Sequence, residues 1–257
     1  MENKKVAKFI DYLKSELSTE LLKTLLCALL LALTFRSFVF DPYKIPTGSM
    51  KPNLLIGDHL FVAKYAYGYS RYSLPFGLPL FEGRIFAKQP ERGDIVVFRA
   101  KDGDDKAYYI KRITGLPGDT LQMKMGVLHV NGKAVLKRGC GEFVDYERNG
   151  RRKVFTKCRE RLPNSVTHIT IYDDRVPLDQ FPNTTEVYKV PEDHYFMMGD
   201  NRNNSKDSRW LDDMAYVPFD RLIGRAYFML WTEDLSLKDL IFKGEKGRSF
   251  HLIKNNV

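Results

Sequence analysis

The hydrophobic pattern divides the chain near residue 40. Leu21 to Phe40 reads LLKTLLCALLLALTFRSFVF, about the twenty residues needed to cross a bilayer. Lys23 and Arg36 stand near its ends, where long cationic side chains can reach headgroups, and the uncharged core runs only from Thr24 to Phe35. A core helix of a soluble protein would carry a polar face, and Leu25 to Leu33 carries none. A cleavable leader would offer small residues spaced A-x-A after its core, but Ala28 and Ala32 lie four apart and Phe35, Arg36, Ser37 and Phe38 follow. The pattern predicts an uncleaved single-pass anchor at 21–40. The preceding segment, 1–20, holds Lys4, Lys5, Lys8 and Lys14. Because cationic flanks stay inside, the N-terminus is expected in the cytoplasm and residues 41–257 outside it.

Past the anchor the periodicity turns strand-like and predicts a mainly β body. Asp94 to Phe98 is a short apolar run bounded by Arg92-Gly93. Val127 to Val130 and Lys133 to Val135 flank Asn131-Gly132, a type I′ hairpin signal. Val187 to Val190, Tyr195 to Met198 and Leu222 to Leu230 add strands. Gly and Pro crowd residues 68–92 and predict irregular loop there; the apolar stretch Tyr72 to Phe86 suits a membrane surface or a buried loop about equally. The stretch 137–186 is polar and weakly periodic. It reads as a smaller region inserted into a core formed by about 41–136 and 187–240.

Charge changes this picture little. The excess of 41 Lys/Arg over 32 Asp/Glu gives +9, which suits anionic lipid or nucleic acid. Nine Lys/Arg against four Asp/Glu fall between Lys137 and Arg161. A solvated excursion explains the cluster first and lipid second; nucleic acid lacks any accompanying motif. Three cysteines make no disulfide framework. Cys27 sits in the apolar run as a small hydrophobe, while Cys140 and Cys158 flank the basic excursion and would pair only in an oxidising compartment.

Two segments carry candidate chemistry. Ile45-Pro46-Thr47-Gly48-Ser49-Met50-Lys51-Pro52 forms a stiff turn that presents Ser49. A hydroxyl there needs a base before it can act as a nucleophile. In Tyr108-Tyr109-Ile110-Lys111-Arg112-Ile113, strand alternation puts Lys111 with Tyr109 and Ile113 as the lone charge on an apolar face. Burial would lower its pKa and make it a base near neutrality. Taken singly, each has a plainer explanation, a turn serine and a surface lysine. None of His59, His129, His168, His194 and His251 stands in a recognisable catalytic setting, and Gly-x-Ser-x-Gly is absent around Ser49.

Together the segments resemble a known family. IPTGSMKPNLLIGDHLFVAKYAYG (45–68) is similar to the serine box of bacterial type I signal peptidases. RGDIVVF (92–98) with YIKRITGLPGD (109–119) is similar to their lysine box, and MMGDNRNNSKDSR (197–209) to their Gly-Asp-Asn-Arg box. The resemblance implies a β-rich peptidase with Ser49 as nucleophile and neutral Lys111 as general base. It implies an oxyanion hole from the Ser49 N–H and the Thr47 hydroxyl. Ser205 is expected to hydrogen-bond and orient the lysine, Asp207 and Arg209 to brace the site, and Gly199 to leave room beside the lysine. Met50 is expected in the substrate-binding region. The implied substrates are preproteins cut after A-x-A, beside the lipids of a bacterial inner membrane, with no nucleic acid, cofactor or metal. Asp200 to Asn204 looks like a calcium loop, but Arg202 occupies the third ligand position. A non-catalytic, membrane-tethered interaction protein descended from a peptidase is the alternative, and oligomeric state is left open.

Overall fold

The computed structural model describes residues 2–73, 81–99, 108–146, 150–212, 214–231 and 251–253. It opens with one helix, α1 (Glu2–Phe38). Its apolar part, Ser18–Phe38, has 21 residues, a mean hydropathy of 1.8 and no burial against the body. At about 1.5 Å per residue it is long enough for a hydrocarbon core of about 30 Å. The helix stops two residues before the expected boundary at 40, because Phe40 already belongs to the first strand. Arg36 in its last turn pairs with Asp41 at 3.2 Å.

The strands, in chain order, begin with β1 (Phe40–Lys44), β2 (His59–Ala63), β3 (Tyr69–Ser70), β4 (Arg84–Ile85), β5 (Ile95–Arg99) and β6 (Tyr108–Gly115). Next come β7 (Thr120–Lys124), β8 (Val127–Val130), β9 (Lys133–Ala134), β10 (Leu136–Tyr146), β11 (Arg152–Arg161) and β12 (Thr167–Tyr172). The last are β13 (Tyr188–Lys189), β14 (His194–Met198), β15 (Val217–Pro218), β16 (Leu222–Trp231) and β17 (His251–Leu252). The body is mainly β, as the periodicity predicts. The principal sheet runs β1-β2-β16-β5-β6-β14-β15, with β17 beside β16, and every pairing within it among the described residues is antiparallel.

Apolar residues from alternate positions close its faces. Ile45, Met50, Leu54, Leu60, Val97 and Ile110 form one cluster, and Val96, Phe98, Ile113, Tyr195 and Met197 another. A third, with Leu121, Leu128, Phe196 and Met198, holds the sheet β13-β7-β8-β9 against the principal one. The Asn131-Gly132 turn has both residues at positive φ, 52° and 76°, as a type I′ hairpin requires.

One expectation is corrected, and one region acquires a structure the sequence left unassigned. Residues 68–92 contain the short pair β3–β4 as well as loop. The membrane-surface reading of Tyr72 to Phe86 falls partly on 74–80, outside the described residues. The weakly periodic region is a three-stranded antiparallel sheet, β10-β11-β12, cross-linked by a Cys140–Cys158 disulfide. Most of β10 is exposed on both faces, so no alternation marks it in the sequence.

Candidate active site

Ser49 lies in a single 3-10 turn, Gly48–Met50. The turn is pinned from below by apolar burial: Met50 is fully buried with Ile45 and Leu54, and Leu54 N–H bonds the Met50 carbonyl at 3.0 Å. It is pinned from above by Asn201, whose N–H donates to the Ser49 carbonyl (3.0 Å) and whose Nδ2 donates to the Gly48 carbonyl (3.1 Å). A Cβ on Gly199 would sit 2.7 Å from the Ser49 carbonyl oxygen and 2.2 Å from Ser205 Oγ, so only glycine permits this approach.

Lys111 comes from β6, a strand paired with β5 over Tyr108 to Arg112 and with β14 from Arg112 onward. Its Nζ lies 2.6 Å from Ser49 Oγ and 3.2 Å from the Ile110 carbonyl. Both side chains are buried, Ser49 at 7% exposure and Lys111 at 3%. Burial lowers the Lys111 pKa to about 8; Asp207 and Asp200 pull it back upward and Arg209 presses it further down. Charged, the lysine donates to the serine; neutral, it can accept the serine proton. A small change of pH therefore switches the pair from a resting to a reactive arrangement.

Two buried ion pairs stand behind the lysine. Arg209 meets Asp207 through two bonds of 2.8 Å, and Asp207 also accepts the Gly199 N–H at 2.9 Å. Burial pushes the Asp207 carboxyl up, but the Arg209 charge and these hydrogen bonds outweigh it and hold the carboxyl below its ordinary range. Arg112 meets Asp200 through bonds of 2.8 and 2.7 Å, and Asn53 donates to the same carboxylate at 2.7 Å. Past Asp200 lie the fully buried His168 and the Glu160–Arg202 pair, which tie the inserted sheet to the site. Burial, with Arg112 and Arg202 adding to it, drives the His168 pKa well below its ordinary value, so it stays neutral there.

The other expected site residues divide. Thr47 is exposed beside the turn and its hydroxyl makes no capping bond. Ser205 Oγ is buried against Gly199 and turned toward Asp207, whose carboxyl it helps hold low, and the bonds of Lys111 Nζ run to Ser49 and Ile110 instead. Gly199 makes room for the Ser49 carbonyl and for Ser205. Met50, expected to face substrate, has no exposed surface and supports the turn from within the core. Sequence reasoning missed Asn201, the Arg112–Asp200 pair and the Lys51–Asp145 pair (2.6 Å). Arg112 had a signal, a second charge in an apolar strand. Asn201 acts on main-chain carbonyls, which no residue pattern records.

Comparison with known proteins gives a consistent result. Residues 18–231 match the family model described as signal peptidase, peptidase S26. Signal peptidase I of Rickettsia felis is 40% identical over 231 residues, 83% of this chain and 82% of that one. That of Rickettsia canadensis is 41% identical over the same extent, and that of Rickettsia prowazekii 40% identical over 226 residues, 83% of each chain. A crystal structure of a signal peptidase I from Enterococcus faecalis aligns at 25% identity with a TM-score of 0.30, over 54% of this chain and 97% of that one. That superposition is too loose to bear on the fold.

Proposed function

The chain belongs to the signal peptidase family, peptidase S26, and from that premise we propose that it removes the leader segments of exported preproteins with a Ser49–Lys111 dyad. The observation that carries this reading is the 2.6 Å approach of Lys111 Nζ to Ser49 Oγ at a buried position, where the lysine pKa falls to about 8. Neutral Lys111 takes the Ser49 proton as the oxygen attacks the scissile carbonyl. The Ser49 N–H and Thr47 hydroxyl hold the resulting oxyanion, a role worth about 3–4 kcal/mol per donor. Lys111 then protonates the leaving amine, and water, deprotonated in turn, hydrolyses the acyl-enzyme. Gly199, Ser205, Asp207 and Arg209 keep the pair in register.

Substrate enters as an extended strand. Among the described residues β1 is bonded to β2 alone, and the first half of β6 to β5 alone. Tyr43 and Tyr108, one from each strand, meet with ring centroids 5.3 Å apart. Two sheet edges beside the dyad suit recognition by strand addition. Side chains one and three residues before the cut share a face, and a floor already filled by Ile45, Met50 and Ile110 leaves depth for small groups, hence A-x-A.

The apolar helix anchors the enzyme in the bacterial inner membrane as a single pass. Residues 1–20 lie in the cytoplasm and 41–257 form the extracytoplasmic body, with about 137–186 inserted in its catalytic core and lipids its neighbours. The test is cleavage of a preprotein with alanines before its cut site by detergent-solubilised wild type, Ser49→Ala and Lys111→Ala. Wild type should cut after A-x-A and both folded variants should not. Near-normal turnover by Lys111→Ala would place the base elsewhere, and a folded wild type that cuts nothing would favour a non-catalytic tether.

A further inference from the structure

Beyond Ser49 a cavity of about 1160 Å³ separates the continuation of the nucleophile turn from the inserted sheet. One wall is residues 52–55; the other is Phe143, Val144 and Asp145 of β10, Lys157 of β11 and Ile169 of β12. Lys51 spans the two walls, its Nζ 2.6 and 2.8 Å from the Asp145 carboxylate oxygens.

Strand register says which way this cavity faces. The end of the principal sheet next to the anchor helix carries Phe40, Ala63, Phe98 and Tyr108. Away from that end the strands progress together, from Phe40 to Lys44 on β1, Ala63 to His59 on β2, Phe98 to Ile95 on β5 and Tyr108 to Arg112 on β6, which sets the direction of the far end. A chain laid along the edges of β1 and β6 runs from the anchor end to the dyad, and what lies beyond the dyad emerges at the far end. Ile95 of that end also lines the cavity. A leader held in the bilayer must occupy the anchor end, so the residues after the cut point toward the cavity.

We propose that this cavity receives the first residues of the mature chain, and that Lys157 makes it favour acidic over basic residues there; the inference rests on the leader-cleaving reading above. The electrostatics lean one way. Asp145 is neutralised by Lys51, whereas Lys157 is in no ion pair among the described residues. Arg138, Arg152 and Arg159 are exposed on the same hairpin against one exposed acid among its described residues, Glu142, while its Glu160 is buried against Arg202. A positive wall raises the local concentration of acidic segments and repels basic ones. Phe143, Val144 and Ile169 give an intervening apolar residue a surface to cover.

One preprotein in three versions tests this, with the same leader and cut site but Glu, Gln or Lys at the second to fourth mature positions. The full-length enzyme in detergent should cut the Glu version with a kcat/KM about fivefold above the Lys version at low salt, the size expected of one partly exposed charge. The ratio should shrink in high salt. Lys157→Glu should reverse the order once each rate is normalised to that variant's own rate on the Gln version, which cancels any general loss. Equal rates for the Glu and Lys versions in wild type, or an unchanged ratio in Lys157→Glu, would overturn the proposal. A second measurement leaves Lys157 untouched: Ser49→Ala enzyme is mixed with a substrate carrying a photo-cross-linking residue at the third mature position. Attachment to residues 143–157 or 52–55 is expected, and attachment confined to β1 or β6 would refute it. If wild type cuts none of the three versions, the leader-cleaving reading fails and takes this one with it.

Discussion

Replacing Lys111 with methionine should abolish cleavage and yet make the protein more stable at neutral pH. Lys111 titrates near 8 in place of the ordinary 10.5, and at about 1.4 kcal/mol per pH unit holding its charge in the folded state costs about 3 kcal/mol. Methionine keeps an unbranched stem of similar length but loses the bonds to Ser49 and the Ile110 carbonyl, a loss of about 1 kcal/mol each. The variant should therefore gain about 1 kcal/mol at pH 7. The sign depends on pH in a defined way. Below about pH 8 the lysine is protonated in both folded and unfolded chains, so the penalty is complete. Between about 8 and 10.5 the unfolded chain still holds the proton and the folded one does not, so wild type recovers stability as pH rises. Urea unfolding of both full-length proteins in the same detergent, at pH 7 and again near the upper end of that window, measures the difference. Titrations common to both proteins cancel. A gap of the same size at the two pH values, or a wild type more stable than the variant at pH 7, would refute the reasoning.

Other outcomes follow from the same geometry. The kcat/KM of wild type should rise about tenfold per pH unit below pH 8 and level off above it, because only neutral Lys111 accepts the proton; a flat profile from pH 6 to 8, an interval below about 8, would exclude Lys111 as the base. Gly199→Ala should cut kcat by about a hundredfold, since its Cβ would press on the Ser49 carbonyl at 2.7 Å and an ångström-scale shift of the nucleophile costs about that much. Relieving only the side-chain clash with Ser205→Gly should not restore the rate. Cys140→Ser with Cys158→Ser opens a cross-link between residues 18 apart and should lower unfolding stability by about 3 kcal/mol; an unchanged urea midpoint would show that the paired strands β10 and β11 need no cross-link.

The strands, the type I′ hairpin and the two residues that meet at 2.6 Å, Ser49 and Lys111, were legible in the sequence because each leaves a local trace: an apolar run, an Asn-Gly pair, a turn serine, a lone lysine in an apolar strand. The β10-β11-β12 sheet was not. Leu136 to Tyr146 is largely exposed on both faces, so nothing forces hydrophobic alternation on it. Within β11 and β12 the buried positions include Glu160 and His168, whose polarity argues for surface until their partners Arg202 and Asp200 are seen in space. The role of Met50 was misjudged for the converse reason, since proximity to Ser49 in the chain says nothing about which way the side chain turns. The anchor was read two residues too long because Val39 and Phe40 remain apolar although the chain has already entered β1.

The hold of Asn201 on the Ser49 turn has a consequence for biosynthesis. Its Nδ2 reaches back 153 residues to the Gly48 carbonyl, so the ribosome releases the nucleophile long before the residue that sets it. At about 5–20 residues per second the interval is on the order of 10–30 s. During it Ser49 is present but unheld, and Lys111 lacks the late residues Asp207 and Arg209. On the proposed dyad reading, a growing chain whose apolar helix precedes Ser49 is thus held inactive until Asn201 has been made. The distance along the polymer acts as a delay.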